Sequence, residues 1–270
     1  MKKRKFLVVV DPARREHRSI NWIVQIAQQK RDEQLEIQLF IGFESGDKTE
    51  PDTPVEVVKS TEWFEELVKP LRDAGLEFKA EVVWTMDWRH SVIEAARRTK
   101  ADIIMMAKSA AEHQKGHITD TKWGLVRNSP VPVAIIGRDS TETIKCILAA
   151  VDMQDKDQHS IDMNREILTS GFELAGYYGA DFHVVNAYKG SEDFPHRGDV
   201  RRIIDIPLKK VHRDMGRPED VICDMAHKIQ ADLVILGSAA RRKGLRVALR
   251  GGNISEKVIE KLSTDILVLN

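Results

Sequence analysis

The sequence predicts an α/β protein of two tandem domains, each a five-stranded parallel sheet wrapped by helices, the two related by internal duplication. Three observations carry this reading. Short apolar runs alternate with amphipathic runs of helical period, the pattern of successive βαβ units. Two of the apolar runs, "DIIMMA" (102–107) and "DLVILG" (232–237), contain no polar residue after the leading aspartate. Central strands covered on both faces read that way. Finally, the chain repeats itself. "KFLVVVDPARREHRSINWIVQIA" (5–27) returns as "KCILAAVDMQDKDQHSIDMNREIL" (145–168), and "SVIEAARRTKADIIMMAKSAAE" (91–112) returns as "DVICDMAHKIQADLVILGSAAR" (220–241). The closing runs "NSPVPVAIIG" (128–137) and "LSTDILVLN" (262–270) also correspond. The expected boundary falls in "RDSTET", giving domains 1–139 and 140–270.

In the first half, strands are expected near 5–10, 35–42, 78–84, 102–107 and 132–136, with helices near 17–31, 55–74, 89–99 and 119–128. In the second, strands fall near 145–151, 181–187, 208–214, 232–237 and 265–269, and helices near 159–177, 218–229 and 253–262. One difference separates the halves. Where the first has "EVVKSTEWFEELVKPLRDAG" (56–75), long enough for a covering helix, the second offers only "GDVRRIID" (198–205), two turns at most. That flank is expected to stay open or to be covered by another part of a dimeric assembly. In open parallel sheets the binding crevice lies beyond the carboxyl ends of the strands, where strand order reverses. The rule sends Asp11, Lys108, Asp152 and Gly237 to the functional edge.

Composition narrows the function classes. Lys plus Arg and Asp plus Glu each number 42, so no global field draws in nucleic acid or an anionic membrane. Direct nucleic-acid binding is therefore not expected. No stretch approaches the roughly 18 apolar residues of a membrane span. The start, "MKKRKFLVVVDPARRE", has basic residues before an apolar run, but the run meets Asp11 too early for a secretory signal. Cys146 and Cys223 are isolated in apolar surroundings, which argues against a disulfide framework. A cytoplasmic location is expected. The nine histidines show no metal-ligand spacing, neither cysteine has a thiolate partner nearby, and no metal site is expected. "GSAA" at Ser238 lacks the nucleophile-elbow pattern, and the standard nucleotide fingerprints are missing, so no catalytic residues are assigned. Trp63, Trp84, Trp88 and Trp123 read as core or interface residues.

The stretch "ILGSAARRKGLRVALRGGN" (235–253) carries the clearest binding signal. Five cations, Arg241, Arg242, Lys243, Arg246 and Arg250, lie between glycines in a loop that opens a helix, and helix starts attract anions. The plain alternative is a solvated basic loop, with Asn253 as N-cap and Glu256 completing a capping box. The two uses can coexist.

Val-Asp at the end of the first strand, "ADLVILGS" as the fourth, and a glycine-bearing loop before the last helix together resemble the universal stress protein family. The duplication and "HITDTKWGLVRNSPVPVAII" (117–136) resemble its tandem E-type members more narrowly. The resemblance spans nearly the whole chain. It implies a Rossmann-like fold in each half, and a phosphate loop of Gly, two residues, Gly, nine residues, Gly and Ser or Thr. It also implies an aspartate, here Asp152, beside adenine and ribose. Gly237 matches the first glycine, but Ala240 stands at the second and Asn253 where Ser or Thr belongs. The span to Gly251 or Gly252 is too long, and the corresponding first-half segment, "AKSAAEHQKGHITDTKWG", lacks the glycine pattern.

The candidate ligand contacts are Asp152, Gly237, Ser238, Arg241, Gly244, Arg246, Gly251, Gly252, Asn253 and Ser255. Asp11 is read as a loop-capping carboxylate. The expected ligand is small and anionic, ATP or another adenine nucleotide, held weakly and mainly by the second half. The expected function is a non-enzymatic, ligand-responsive stress protein. Two alternatives are a structural or interaction protein without a ligand and an adenine-nucleotide hydrolase. The halves are expected to pair as an intramolecular pseudo-dimer, and a homodimer is a further expectation.

Overall fold

Ten strands and eight helices make up the described parts of the chain, named in chain order. The first run is β1 (Arg4–Val10), α1 (Arg18–Gln29), β2 (Leu35–Glu44), α2 (Thr61–Asp73), β3 (Phe78–Thr85), α3 (Trp88–Thr99), β4 (Ile103–Ala107), α4 (Asp120–Asn128) and β5 (Val133–Ile136). The second is β6 (Cys146–Val151), α5 (Gln158–Tyr178), β7 (Asp181–Tyr188), α6 (Arg197–Arg201), β8 (Val211–Met215), α7 (Pro218–Lys228), β9 (Leu233–Gly237), α8 (Ile254–Lys261) and β10 (Asp265–Leu269). This computed structural model describes residues 4–14, 17–29, 34–44, 60–108, 119–137, 143–190, 194, 196–238 and 254–270. The chain divides into two units, one built on β1–β5 and one on β6–β10.

Within the first unit the strands lie in the order β3-β2-β1-β4-β5, all parallel. The second unit repeats the order as β8-β7-β6-β9-β10. Strand order reverses between β1 and β4, and between β6 and β9. In α/β sheets such reversals open the ligand crevice. The inner strands are buried along most of their length because helices cover both faces: in the first unit α1 packs on β1, β4 and β5, and α3 on β1, β2 and β3.

One device anchors both central strands. The aspartate of each "AD" run accepts from the start of the neighbouring strand: Asp102 Oδ2 from Lys5 N–H at 2.8 Å, and Asp232 Oδ2 from Lys145 N–H at 2.7 Å and Cys146 N–H at 3.0 Å. Main-chain bonds run the other way, Asp102 N–H to Lys5 O and Asp232 N–H to Cys146 O, each 2.9 Å. Each latch follows a residue in the left-handed region, Lys100 at φ 53° and Gln230 at φ 52°, which turns the chain sharply from helix to strand.

Two helix starts, those of α2 and α3, carry side-chain caps. The Ser60 hydroxyl accepts from Trp63 N–H at 3.1 Å, and an Asp87 carboxylate oxygen accepts from His90 N–H at 2.9 Å.

The structure departs from the sequence reading in two places and narrows it in a third. Residues 208–210 form a short 3-10 turn, so β8 starts at Val211. The flank lacking a long helix is not bare, because Val200, Ile204 and Ile206 in and after α6 are buried. Trp84 is also not a core residue. It is 56% exposed on β3 and stacks on Phe43 across the β2–β3 pair, with ring centroids 4.5 Å apart, while Trp123 is buried as expected.

Candidate functional site

The second-unit site is built at the carboxyl ends of β6 and β9. These strands pair with Ile147 opposite Leu233 and Ala149 opposite Ile235. Continuing that register brings Val151 level with Gly237, so Asp152 and Ser238 leave the sheet at the same edge. Asp152 is exposed, whereas Ser238 and Ser255 are buried.

Two buried amides hold the Asp152 turn. Asn164 on α5 accepts from Asp152 N–H at 3.0 Å and donates to Asp152 O at 2.7 Å. Asn186 on β7 accepts from Met153 N–H at 3.0 Å and donates to Gln154 Oε1 at 2.6 Å. Gln154 in turn donates to Ala187 O at 2.8 Å. The main chain at Asp152 and Met153 is thus fixed from a helix on one side and a strand on the other. A buried amide left unmatched is costly, so such a network specifies one loop conformation.

The first unit treats the matching turn differently. Asp11 Oδ1 accepts from Ala13 N–H at 3.0 Å, and Oδ2 pairs with Arg14 at 3.1 Å, so this carboxylate caps its own turn. The residue twelve positions after Asp11 is Ile23, where Asn164 follows Asp152 by the same interval. Ile41 pairs with Val10 just as Asn186 pairs with Val151. Both isoleucines are wholly buried. The two amides of one unit are two hydrocarbon side chains in the other.

Gly237 is a glycine for reasons of packing. A Cβ there would lie 2.6 Å from Met163 Cγ, so the missing side chain lets α5 approach the end of β9. The Ser255 hydroxyl donates to Gly237 O at 2.7 Å and ties the first turn of α8 to the same point. Ser238 N–H donates to Leu269 O at 2.7 Å, just as Lys108 N–H donates to Ile136 O at 2.8 Å in the first unit. Arg241, Gly244, Arg246, Gly251, Gly252 and Asn253 lie outside the described residues.

Ionic contacts brace the helices beside this edge. Glu219, in the first turn of α7, is buried and accepts from Arg217 Nη2 at 2.6 Å and from Lys257 Nζ of α8 at 3.1 Å. Burial pushes its carboxyl up, but the Arg217 and Lys257 contacts outweigh this and hold it at about 2. Asp220 pairs with Lys261, one turn further along α8. The cations of the described part of α8 are therefore engaged with carboxylates. Both cysteines are free thiols, and burial pushes each up to about 11, which makes them poor nucleophiles. Among the described residues no group of three or more metal-binding side chains converges.

Comparison with known proteins agrees with this architecture. The profile of the universal stress protein family matches residues 3–137 and 199–270. The chain belongs to the universal stress protein family. It is 24% identical to the universal stress protein E homolog of Haemophilus influenzae, over 99% of this chain and 97% of that protein. It is 27% identical to universal stress protein E of Salmonella typhi, over 79% of this chain and 75% of that one. Among solved structures, a putative universal stress protein from Pseudomonas aeruginosa superimposes with a TM-score of 0.74 at 24% identity, covering 98% of this chain and 92% of that one. One from Archaeoglobus fulgidus gives 0.67 at 17% identity, covering 98% and 96%. Both show the same fold. The tandem organisation read from the repeats accords with relatives that match along the whole chain. No described helix is long and apolar enough to cross a membrane.

The sequence reading placed Asp152, Gly237, Ser238 and Ser255 at this edge and overlooked Asn164, Asn186 and Glu219. A signal for the first two was present. Each is a polar residue at a position of helical or strand period whose repeat partner is isoleucine.

Proposed function

We propose that the protein is a non-enzymatic, ligand-responsive stress protein that binds an adenine nucleotide weakly through its second half. In this reading residues 1–139 and 140–270 are two universal stress domains, of which the second is the ligand-binding one. The observation that carries it is the asymmetry at the strand-order reversals. Asp11 caps its own turn with its carboxylate, whereas the main chain of the Asp152 turn, at the carboxyl ends of β6 and β9, is held by the buried amides of Asn164 and Asn186.

Asp152 would meet the nucleoside, and Gly237, Ser238, Gly244, Gly251, Gly252, Asn253 and Ser255 would border the phosphates. Arg241 and Arg246 would supply charge. Ala240 has a Cβ where the family pattern has a glycine, and the loop is longer than that pattern, so attraction persists while geometric selectivity falls. Binding of ATP is then expected in the high micromolar to millimolar range, about −4 to −6 kcal/mol. Screening of the loop charges should weaken it as salt rises.

Calorimetric titration of ATP at low and moderate ionic strength tests this reading. Charge reversal at Arg241 and Arg246 should weaken binding, Lys108→Glu should change it little, and Ala240→Gly should strengthen it. Tight, salt-insensitive binding, or equal losses from both halves, would overturn the proposal.

A further inference from the structure

We infer that two copies of this chain pair antiparallel along β3, through the exposed apolar face of that strand. β3 is the outermost strand of the first unit, and among the described residues it pairs with β2 alone. One face lies under α3, where the Ser91 hydroxyl donates to the Thr85 hydroxyl at 2.8 Å and Arg98 pairs with Glu81. The alternate residues Ala80, Val82 and Trp84 point the other way and are exposed, and Met86, just beyond the strand, is 86% exposed. An edge strand eight residues long and apolar on its open face is a template for another strand.

About Ala80 this strand is its own complement. With Ala80 on a twofold axis, antiparallel pairing sets Lys79 of each copy opposite Glu81 of the other. It also sets Phe78 opposite Val82 and brings Trp84 beside Leu76 of the second copy. Opposite charges thus face each other twice, and the apolar residues meet one another. Glu81 keeps Arg98 while receiving Lys79, since a carboxylate has about four acceptor positions. The neighbouring registers fail on charge. An axis at Lys79 or at Glu81 opposes each to its own copy, and an axis at Val82 sets Glu77 against Asp87.

The matching strand of the second unit is guarded against such pairing. β8 has five residues, and by the pairing registers Arg213 stands there in the place of Val82. Its guanidinium lies 4.2 Å over the centroid of the Phe194 ring. A charge in the middle of a short edge strand blunts that edge.

Sedimentation velocity on the full chain, without nucleotide, tests this. The unmodified chain should form a dimer that dissociates on dilution. Lys79→Glu sets glutamates against each other and should raise the dissociation constant at least ten-fold, by a factor that shrinks as salt rises. Lys79→Gln serves if Lys79→Glu does not fold, and should give a smaller loss. Cysteine substitution under mild oxidation reads the register. Opposed residues of antiparallel strands have Cα atoms about 4.5–5.5 Å apart, within disulfide reach, so Ala80→Cys should give a reducible covalent dimer. Val82→Cys should not, because the two copies of that position lie about 13 Å apart along the strands. The unmodified chain supplies the blank for Cys146 and Cys223. A chain that stays monomeric at every concentration reached overturns the inference and leaves the face to a different protein or to none. A dimer indifferent to Lys79→Glu, or one bridged at position 82 and not at 80, also overturns it. None of these outcomes involves ATP, so the nucleotide reading stands or falls separately.

Discussion

At the residue scale, Gly237 separates two explanations for one glycine. The family pattern makes it a place of close approach to phosphate, while the structure fills the missing side chain's space with Met163 at 2.6 Å. A methyl group there must push α5 away from β9 or force Met163 into a poorer rotamer, a cost of about 1–3 kcal/mol. Gly237→Ala is accordingly expected to lower the urea midpoint at unchanged slope. In a Met163→Ala background the same substitution should cost less, because the neighbour that resists it has gone. Full stability combined with lost ATP affinity would instead assign the glycine to the ligand.

The same scale explains what the sequence concealed. Asp152 and Gly237 could be placed because they end apolar runs in a parallel sheet, and topology sends such positions to the crevice. Asn164 and Asn186 sit inside the periodic patterns of a helix and a strand, where a lone polar residue is ordinarily read as noise. Only comparison with Ile23 and Ile41 in the other repeat gives them meaning.

At the scale of elements, the ion pairs between α7 and α8 make stability depend on acid. Glu219 has a folded-state carboxyl at about 2, against an ordinary 4.5. A depressed carboxyl stabilises the fold above its unfolded value and loses that contribution as pH falls through the folded one. The window is thus from about pH 4.5 down to about 2, and the contribution is at most about 3 kcal/mol. Glu219→Gln should be less stable than the unmodified protein at pH 7, and the gap should narrow below about pH 4.5 and close only near pH 2. Urea denaturation across that range gives the check, and a gap that does not vary with pH would remove Glu219 from the account. Strands and most helices were legible because burial on both faces enforces continuous apolar runs and one-sided burial enforces helical period. The 208–210 turn was not, because "PLKK" differs little in local preference from the strand that follows. Trp84 was open to either reading, core or interface. An aromatic residue is equally at home in a core and on a half-open edge strand stacked against a neighbour such as Phe43.

For the whole molecule, a weak ligand still leaves a measurable mark. With ATP at ten times its dissociation constant, binding to the native state alone stabilises by about 1.4 kcal/mol. That raises the melting temperature by about 2–4 °C for a chain of this size. The shift should shrink at moderate salt and in the Asp152→Ala variant. A shift of equal size with inorganic phosphate alone would place the nucleoside outside the recognition.

The aspartate latches have a consequence in time. Lys5 and Asp102 lie 97 residues apart in sequence, and Lys145 and Asp232 lie 87 apart. During synthesis at about 5–20 residues per second, β1 leaves the ribosome about 5–20 s before the residue that secures it. Through that interval it can pair with β2 on one side only, and its other edge, in the apolar run "FLVVV", stays unpaired. The wait recurs for β6. Slower synthesis would hold these unfinished edges open for longer. The strands that give the finished sheet its core are thus the ones that leave the nascent chain most open to aggregation.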